Sequence, residues 1–374
     1  MPAAARPSAT LTIDLDAIAS NYRLLRERLG EGTACGAVVK ADAYGLGADR
    51  VAPALAAAGC RDFFVATTDE AIVLRELFRR QAITAAVYVF LGPDPGGAEE
   101  LIAYELTPAL NDRRQIEDWA KAARAADRAL DAIIHVDTGM SRLGLQPKEA
   151  TWLGANAKAL EDVNVRAVMS HLACADDPND PTNTEQLTRF IETRALLPAA
   201  PASLANSAGI LLGPEYHFQI VRPGIALYGG NPLIHDNNIF SQVINITSFI
   251  AQVRDIDTGQ AVGYGATHCA AGPTRIATVP VGYADGYLRS LSNHAAASLG
   301  GVRVPVVGRV SMDLITLDVT AAPPDLCQPG CTVELIGDTI TLDDLAAAGG
   351  TISYEILTRL GPRLRRTYAG GQGV

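Results

Sequence analysis

The sequence predicts an α/β fold joined to an all-β one: a (β/α)8 TIM-like barrel followed by a β-rich domain. Up to about residue 235, short apolar runs alternate with segments of helical period, which indicates a parallel sheet. Eight such runs fall within about 220 residues, and this number favours a closed barrel. A doubly wound sheet is the alternative, although the chain contains no G-x-G-x-x-G motif.

The predicted barrel follows one strand and one helix. LTIDL is predicted as the strand, and DLDAIASNYRLLRERLG as a helix that Asp16 caps at its start and Gly30 at its end. The barrel strands are predicted at residues 37–40, 62–66, 86–92, 106–110, 132–137, 165–171, 203–207 and 218–224. The helices between them are predicted at residues 48–58, 69–79, 114–126, 148–160 and 185–197.

Strand-forming runs dominate beyond about residue 240. They are QVINITSFIAQV, RIATVPV, VRVPVVGRV, LITLDV and TVELIG, and glycine-bearing turns separate them. One helix is expected at Leu342–Ala348, because Thr341 and Asp344 have the spacing of a capping box. We therefore expect the barrel at residues 12–238 and a mainly β-stranded domain formed by residues 1–11 and 239–374.

Composition and charge argue against several classes of partner. The chain has 374 residues, 48% of them apolar, and a formal net charge of -10, which disfavours nucleic acid and anionic membranes. No apolar run approaches the length of about 18 residues that a membrane span needs. The N-terminus lacks the apolar region of a signal peptide, and the six cysteines are scattered. We therefore expect a cytoplasmic protein with reduced thiols and no metal site.

Lys40 stands at the inner end of an apolar run, in the stretch GAVVKADAYGLG. A solvated strand end is the simpler interpretation of this lysine. The alternative is a nucleophile, because desolvation lowers the pKa of a lysine and the neutral amine attacks an aldehyde.

Further polar side chains lie at the ends of the later predicted strands or, for Arg142, on the loop that follows. They are Arg142, His171, Asn206, Ser207 and Arg222. Because the C-terminal ends of barrel strands share one rim, these side chains are expected to converge there with Lys40. A serine and glycine-bearing loops near the last two strands are typical of a phosphate site. Each residue also fits a structural role when it is taken alone, but together they suit a cofactor that carries an aldehyde and a phosphate.

An ordered set of motifs resembles the alanine racemase family across essentially the whole chain. The motifs are IDLDAIASNYRLL, AVVKADAYGLGA, HVDTGMSRLG, SHLACADD, ANSAG, VRPGIALYG, VGYGAT, VPVGYADGYLR, GRVSMD and ISYEILTRL. The resemblance implies an isomerase that uses pyridoxal 5'-phosphate and two bases to interconvert L-alanine and D-alanine. Such an enzyme supplies D-alanine for peptidoglycan or serves L-alanine catabolism. The resemblance also implies a homodimer with shared active sites.

The same resemblance implies roles for individual residues. It implies that Lys40 holds the cofactor as an internal aldimine and handles the proton of D-alanine, whereas Tyr264 handles that of L-alanine. The matching cofactor-binding positions are Lys40, Tyr44, Arg142, His171, Asn206, Ser207, Arg222, Gly224, Ile225 and Tyr354. The matching substrate-binding positions are Arg142, Tyr283, Met312 and Asp313. In the family, the tyrosine base and the segment with the methionine come from the partner subunit.

His135 departs from the family pattern. The family commonly has a lysine at this position, often carbamylated, whose negative charge orients the catalytic arginine. Three interpretations follow for His135. A neutral imidazole forms a hydrogen bond near Arg142, an anion such as chloride supplies the missing charge, or the site is tuned for another substrate.

Other activities remain as alternatives at this level. One is a racemase with a different or broader substrate, for example serine, since one added hydroxyl is hard to reject sterically. A decarboxylase with the same cofactor is disfavoured by VGYGAT and VSMD, and a non-catalytic single-barrel protein is disfavoured by the β-rich region.

Overall fold

A computed structural model describes residues 7–371 of the chain, which form two compact units. Residues 18–227 and 231–239 form the barrel unit. Residues 7–17, 228–230 and 240–371 form the β unit, and positions 1–6 and 372–374 of the predicted β domain lie outside the described residues. None of the helices within residues 7–371 has the length and apolar character that crossing a membrane requires.

The chain begins with strand β1 (Ala9–Asp14) and helix α1 (Leu15–Glu27). Two details differ from prediction. The side chain that accepts the N–H of Ala17 at the helix start belongs to Asp14 rather than Asp16, at 2.9 Å, because the helix begins at Leu15, two residues earlier than a cap at Asp16 would give. The helix also ends before Gly30, which therefore does not cap it.

The barrel strands follow the predicted order, and their number agrees with the eight predicted runs when β2 and β3, which only Gly36 separates, are counted as one barrel strand. They are β2 (Ala34–Cys35), β3 (Ala37–Val38), β4 (Asp62–Val65), β5 (Ala86–Val89), β6 (Thr107–Leu110), β7 (Leu130–His135), β8 (Val163–Met169), β9 (Ala202–Ser203) and β10 (Ile220–Val221). Strands β3 to β9 form one parallel sheet of seven strands in sequence order.

Backbone hydrogen bonds on both sides of β10 close this sheet into a barrel. On one side, the N–H of Arg222 donates to the carbonyl of Ala205 at 2.9 Å. On the other side, the N–H groups of Gly36 and Val38 donate to Val221 and Pro223, each at 2.9 Å. The prediction of a (β/α)8 barrel is therefore confirmed, and the doubly wound alternative is wrong.

The barrel helices are α2 (Lys40–Gly45), α3 (Ala48–Ala57), α4 (Thr68–Arg80), α5 (Ala98–Ala103), α6 (Arg113–Ala125), α7 (Pro147–Ala155), α8 (Thr182–Ala195) and α9 (Ser207–Leu212). The predicted helix 148–160 is wrong at its end, because α7 stops at Ala155 and residues Ala157–Leu160 form a 3-10 turn. Element α2 is a turn of the opposite hand: the φ angles of Ala41, Asp42, Ala43 and Tyr44 lie between 52° and 58°. Lys40 therefore follows the first strand rather than ending it.

Besides β1, the strands of the β unit are β11 (Ile244–Phe249), β12 (Gln252–Ile256), β13 (Ala261–Val262), β14 (His268–Cys269), β15 (Thr274–Val279), β16 (Ala296–Leu299), β17 (Val302–Pro305), β18 (Ile315–Asp318), β19 (Thr332–Ile336) and β20 (Arg365–Ala369). The main sheet has six strands in the order β17-β16-β19-β11-β1-β20. The helices are α10 (Leu342–Ala348) and α11 (Ser353–Arg359). Thr341 and Asp344 form the predicted capping box at the start of α10.

Candidate active site

Lys40 opens a strained turn at the rim of the barrel. The four residues after it adopt left-handed backbone angles although none is a glycine, which costs roughly 1–2 kcal/mol per residue. The N–H of Ala43 donates to Val39 at 2.9 Å, and the carboxylate of Asp42 accepts the N–H of Ala48 at 2.7 Å. The turn thereby reverses the chain within a few residues and seats Lys40 just beyond β3.

The amine of Lys40 is placed in surroundings that favour its neutral form. Burial lowers its pKa, the positive charge of Arg142 lowers it further, and the negative charge of Glu70 opposes both effects. The Nζ atom lies 6.0 Å from the centre of the Phe90 ring. A half-buried amine of this kind can act both as a nucleophile and as a base.

Ser207 and the loop after β10 form a compact polar pocket. The Ser207 hydroxyl accepts the N–H of Gly224 at 2.8 Å and that of Ala226 at 3.3 Å. A Cβ atom on Gly224 would overlap the hydroxyl of Tyr44, so only glycine allows this approach. Asn206 caps α9 by accepting the N–H of Gly209 at 2.8 Å. Hydroxyls and backbone N–H groups gathered in this way suit an anionic oxygen.

Arg222 is 3% exposed and keeps one donor unused. Its guanidinium donates to the hydroxyl of Ser203 and, at 2.6 Å, to the carbonyl of Ser170. Its Nε atom has no hydrogen-bond partner within residues 7–371. Burial lowers the pKa of Arg222 to about 10, which still leaves it protonated near neutral pH. A buried, charged donor without a partner indicates that a ligand atom belongs beside it.

His135 is held in one orientation by Asn111. The amide nitrogen of Asn111 donates to the carbonyls of Phe90 and Ala109, each at 3.0 Å. Its oxygen therefore faces Nδ1 of His135 at 2.7 Å, so Nδ1 carries the proton. Burial and the charge of Arg222 lower the pKa of His135 to about 4, which makes the ring neutral and leaves Nε2 as an acceptor.

His171 and Arg142 complete the rim of the barrel unit. Burial lowers the pKa of His171 well below its ordinary value, and the positive charges of Arg222, Arg142 and Lys40 act in the same direction. Arg142 is exposed. The loop that carries it is held by Asp137, whose carboxylate accepts three backbone N–H groups at 2.9 to 3.1 Å. Because the charges of Arg222, Arg142 and Lys40 all act on His171, these side chains lie near one another at the rim.

The predicted site residues of the β unit lie on its surface. Tyr264 is 72% exposed and stands between two glycines of positive φ, Gly263 and Gly265. Met312, Tyr283 and Tyr354 are also exposed. The N–H of Tyr283 donates to the carbonyl of Ser311 at 3.0 Å, which places the two segments that carry Tyr283 and Met312 side by side.

Sequence reasoning missed several residues that support this site. Asn111, Ser203 and Asp137 orient parts of the rim, and each lies at the end of a barrel strand or within two residues after it. Glu70 belongs to a capping box, whose T-x-x-E spacing is readable in TTDE. The sequence signal that could have identified Asn111, Ser203 and Asp137 is therefore a polar residue near the end of a strand.

The comparisons with known proteins agree with this geometry. The family described as "Alanine racemase, N-terminal domain" matches residues 13–232, and "Alanine racemase, C-terminal domain" matches residues 243–368. An alanine racemase of Rhodospirillum rubrum is 51% identical over 365 residues, which cover 98% of this chain and 97% of the relative. A protein of Mesorhizobium japonicum named "Alanine racemase, catabolic" is 47% identical, with 98% and 95% covered.

A solved structure is similar over the same extent. The alanine racemase of Bartonella henselae, described as carrying covalently bound pyridoxal phosphate, superposes with a TM-score of 0.89 at 40% identity. The match covers 98% of this chain and 100% of that chain.

Proposed function

The chain belongs to the alanine racemase family, and from that premise we propose which of its residues carry the reaction. It is an alanine racemase, an isomerase that depends on pyridoxal phosphate. The observation that carries the proposal is Lys40, a lysine whose pKa is lowered by burial beside Arg142 at the rim of the barrel. We propose Lys40 and Tyr264 as the two bases.

The residues of the barrel unit fit the cofactor. The unpartnered Nε of Arg222 offers a donor for the pyridine nitrogen, and the pocket of Tyr44, Ser207 and Gly224 suits the phosphate. We propose that Asn206, Ile225 and Tyr354 support the same phosphate, and that His171 orients Arg222. When bound, the cofactor supplies an electron sink that makes the α-proton of an amino acid removable.

The two bases act on opposite faces of the substrate in our proposal. Nζ of Lys40 exchanges a proton on the D-alanine side and Oη of Tyr264 on the L-alanine side. Arg142 binds the substrate carboxylate, and Tyr283, Met312 and Asp313 close the site and exclude water. Arg222 stays protonated, so it donates a hydrogen bond without giving up its proton.

We propose a homodimer in which residues 1–11 and 239–374 of one chain complete the active site in the 12–238 barrel of its partner. Support comes from the β unit, which exposes several large apolar side chains: Tyr264, Tyr283, Met312, Leu314, Ile352 and Tyr354. Where exposed apolar side chains form one patch, the patch commonly marks a surface that a partner covers. We also propose a cytoplasmic location, which the scattered cysteines support.

The neutral state of His135 supports the first of its three interpretations. Because Nδ1 donates to Asn111, the free lone pair at Nε2 is placed to accept a hydrogen bond, and an acceptor does not attract chloride. A chloride beside Arg142 is the competing proposal. Racemisation that rises with added chloride at constant ionic strength, and not with added sulfate, would favour the anion.

The roles of the bases are tested by solvent exchange. Lys40→Ala and Tyr264→Phe are loaded with pyridoxal phosphate and supplied with each alanine enantiomer in deuterated water. We expect both to lose racemisation by chiral chromatography, and Lys40→Ala also to lose the absorbance of the lysine-bound cofactor. Tyr264→Phe is expected to keep α-proton exchange with D-alanine alone. Exchange of L-alanine by Tyr264→Phe at the unaltered rate would contradict the assignment.

A further inference from the structure

We propose that Glu70 is a positioning residue that fixes the backbone turn carrying Lys40. This inference rests on the proposed role of Lys40 and goes beyond it, because Glu70 is not among the residues proposed to bind the cofactor or the substrate. It concerns how the barrel maintains a strained segment at its reactive lysine.

The turn after Lys40 needs support from outside. Its residues Ala41 to Tyr44 are four consecutive non-glycine residues with left-handed angles, whereas such residues normally occur singly. Strain of this size persists only where the surrounding structure fixes it. Ala41 and Asp42 are exposed, so packing does not hold the first half of the turn.

The carboxylate of Glu70 supplies the missing support. Its Oε1 accepts the N–H of Ala41, the residue next to Lys40, at 2.7 Å. Its Oε2 accepts the N–H of Ala66 at 2.8 Å and that of Thr67 at 3.4 Å. One carboxylate thereby ties the turn to the end of β4 and to the first turn of α4. Bonds from backbone N–H groups to an ionised carboxylate are among the stronger ones in proteins.

The negative charge of Glu70 also affects the pKa of Lys40. Burial and Arg142 lower the pKa of Lys40, and Glu70 is the group that raises it. His171, which is neutral, and Arg222 belong to the same cluster. Replacing Glu70 by glutamine is therefore expected to lower the pKa of Lys40 further. Glutamine also has one acceptor oxygen where the turn and β4 require two.

Glu149 offers a matched control. It is also the acidic member of a capping box, at the start of α7, and its Oε2 accepts the N–H of Gln146 at 2.9 Å. Its Oε1 accepts the N–H of Arg113 at 3.3 Å, so it likewise joins its helix to a second segment. Glu149→Gln therefore loses the same kind of contact, but without a link to Lys40.

The test measures the pKa of Lys40 and the affinity for the cofactor rather than the rate of racemisation. Full-length, cofactor-free Glu70→Gln and Glu149→Gln are acetylated with limiting acetic anhydride across a pH series, and the labelling of Lys40 is followed by mass spectrometry. Binding of pyridoxal 5'-phosphate is titrated by absorbance. We expect Glu70→Gln to lower the pKa of Lys40 and to weaken cofactor binding by about tenfold, the effect of losing one charged hydrogen bond. Glu149→Gln is expected to change neither quantity.

Two outcomes overturn the proposal. One is an unaltered pKa and cofactor affinity in Glu70→Gln, and the other is an equal change in Glu149→Gln. Lys40→Ala separates this failure from that of the underlying function. If Lys40→Ala still forms the covalent cofactor absorbance, the proposed role of Lys40 fails, whatever Glu70 does.

Discussion

Single residues around Lys40 have their protonation set mainly by burial. Burial is the largest cause of the lowered pKa of Lys40, His135 and His171, and positive neighbours strengthen it in each case. Arg222 keeps its charge in spite of burial, since its ordinary pKa is so high that a fall to about 10 leaves it protonated near neutral pH. The site therefore joins two neutral imidazoles and a lysine of lowered pKa to one buried cation, an arrangement that suits proton transfer.

The lowered pKa of His135 predicts that the folded protein loses stability in mild acid. Its pKa is about 4 in the folded chain and 6.5 when unperturbed, so between these values the unfolded chain binds a proton that the folded chain does not. This contribution is fully present above pH 6.5 and is lost as the pH falls towards 4, in total about 3 kcal/mol. We expect the thermal midpoint of His135→Asn to fall less between pH 7 and pH 5 than that of the unaltered protein.

The control for this acid effect is His235, which is exposed. His235→Asn should keep the full acid sensitivity of the unaltered protein. Parallel curves for His135→Asn and the unaltered protein would contradict the argument.

Gly224 gives a second prediction at the residue scale. Because a Cβ atom there would overlap the Tyr44 hydroxyl, Gly224→Ala must displace Tyr44 or the loop. Overpacking of this kind typically costs about 1–3 kcal/mol, and we expect a lower thermal midpoint together with weaker binding of pyridoxal phosphate. Gly30→Ala is the control, since a Cβ atom at Gly30 meets nothing within 4 Å. Equal affinity in the two variants would show that the pocket does not depend on this contact.

The sequence predicted the rim residues better than their supports. Arg222, Ser207 and His171 were found because each lies at the end of a predicted strand, and the barrel fold brings the ends of its strands together. Asn111 also follows a strand, but its hydrogen bond to His135 depends on side-chain rotation, which no sequence period encodes.

Elements were predictable where a period of several turns was present. Helices α3, α4, α6 and α8 begin and end within a few residues of their predicted bounds. Helix α10 has the same bounds as predicted. Helices α5 and α9 have six residues each, too few to show a helical period, and they were missed. The left-handed angles of the turn after Lys40 have no signal in the sequence, since alanine rarely adopts such angles.

Arg363 links two segments of the β unit, and its removal is expected to lower the affinity for substrate. Its guanidinium pairs with Asp285, which is 1% exposed, at 2.9 Å and with Asp313 at 2.6 Å. Arg363→Ala leaves the buried carboxylate of Asp285 without its counter-charge and releases Asp313. We expect a lower thermal midpoint and a KM for alanine raised several-fold, with a smaller change in kcat.

Arg359→Ala is the matched control for Arg363, because Arg359 pairs only loosely with Glu355, at 3.8 Å, on the surface of the same region. Surface pairs of this kind contribute little to stability. If both arginine variants raise KM equally, the link to Asp313 is not what positions the substrate segment.

The whole molecule follows from two different periodicities along one chain. The alternation of apolar runs and helices predicted the barrel, and the later β-rich runs predicted the second unit, both of which the structure has. Strands β16 and β20 were not predicted, because their short sequences AASL and RRTYA carry no strong strand signal. The association of two chains could not be predicted from such patterns, since the exposure of Tyr264 produces no periodic signal in the sequence.

The central claim is that one active site takes Lys40 from one chain and Tyr264 from its partner. Lys40→Ala and Tyr264→Phe proteins are each expected to be inactive. They are mixed, dissociated and reassociated, and D-alanine formed from L-alanine is measured. Shared sites leave each mixed dimer one intact pair of bases, so about a quarter of the unaltered activity is expected to return after random reassociation. Mixed dimers, verified by mass, that form no D-alanine would contradict the claim.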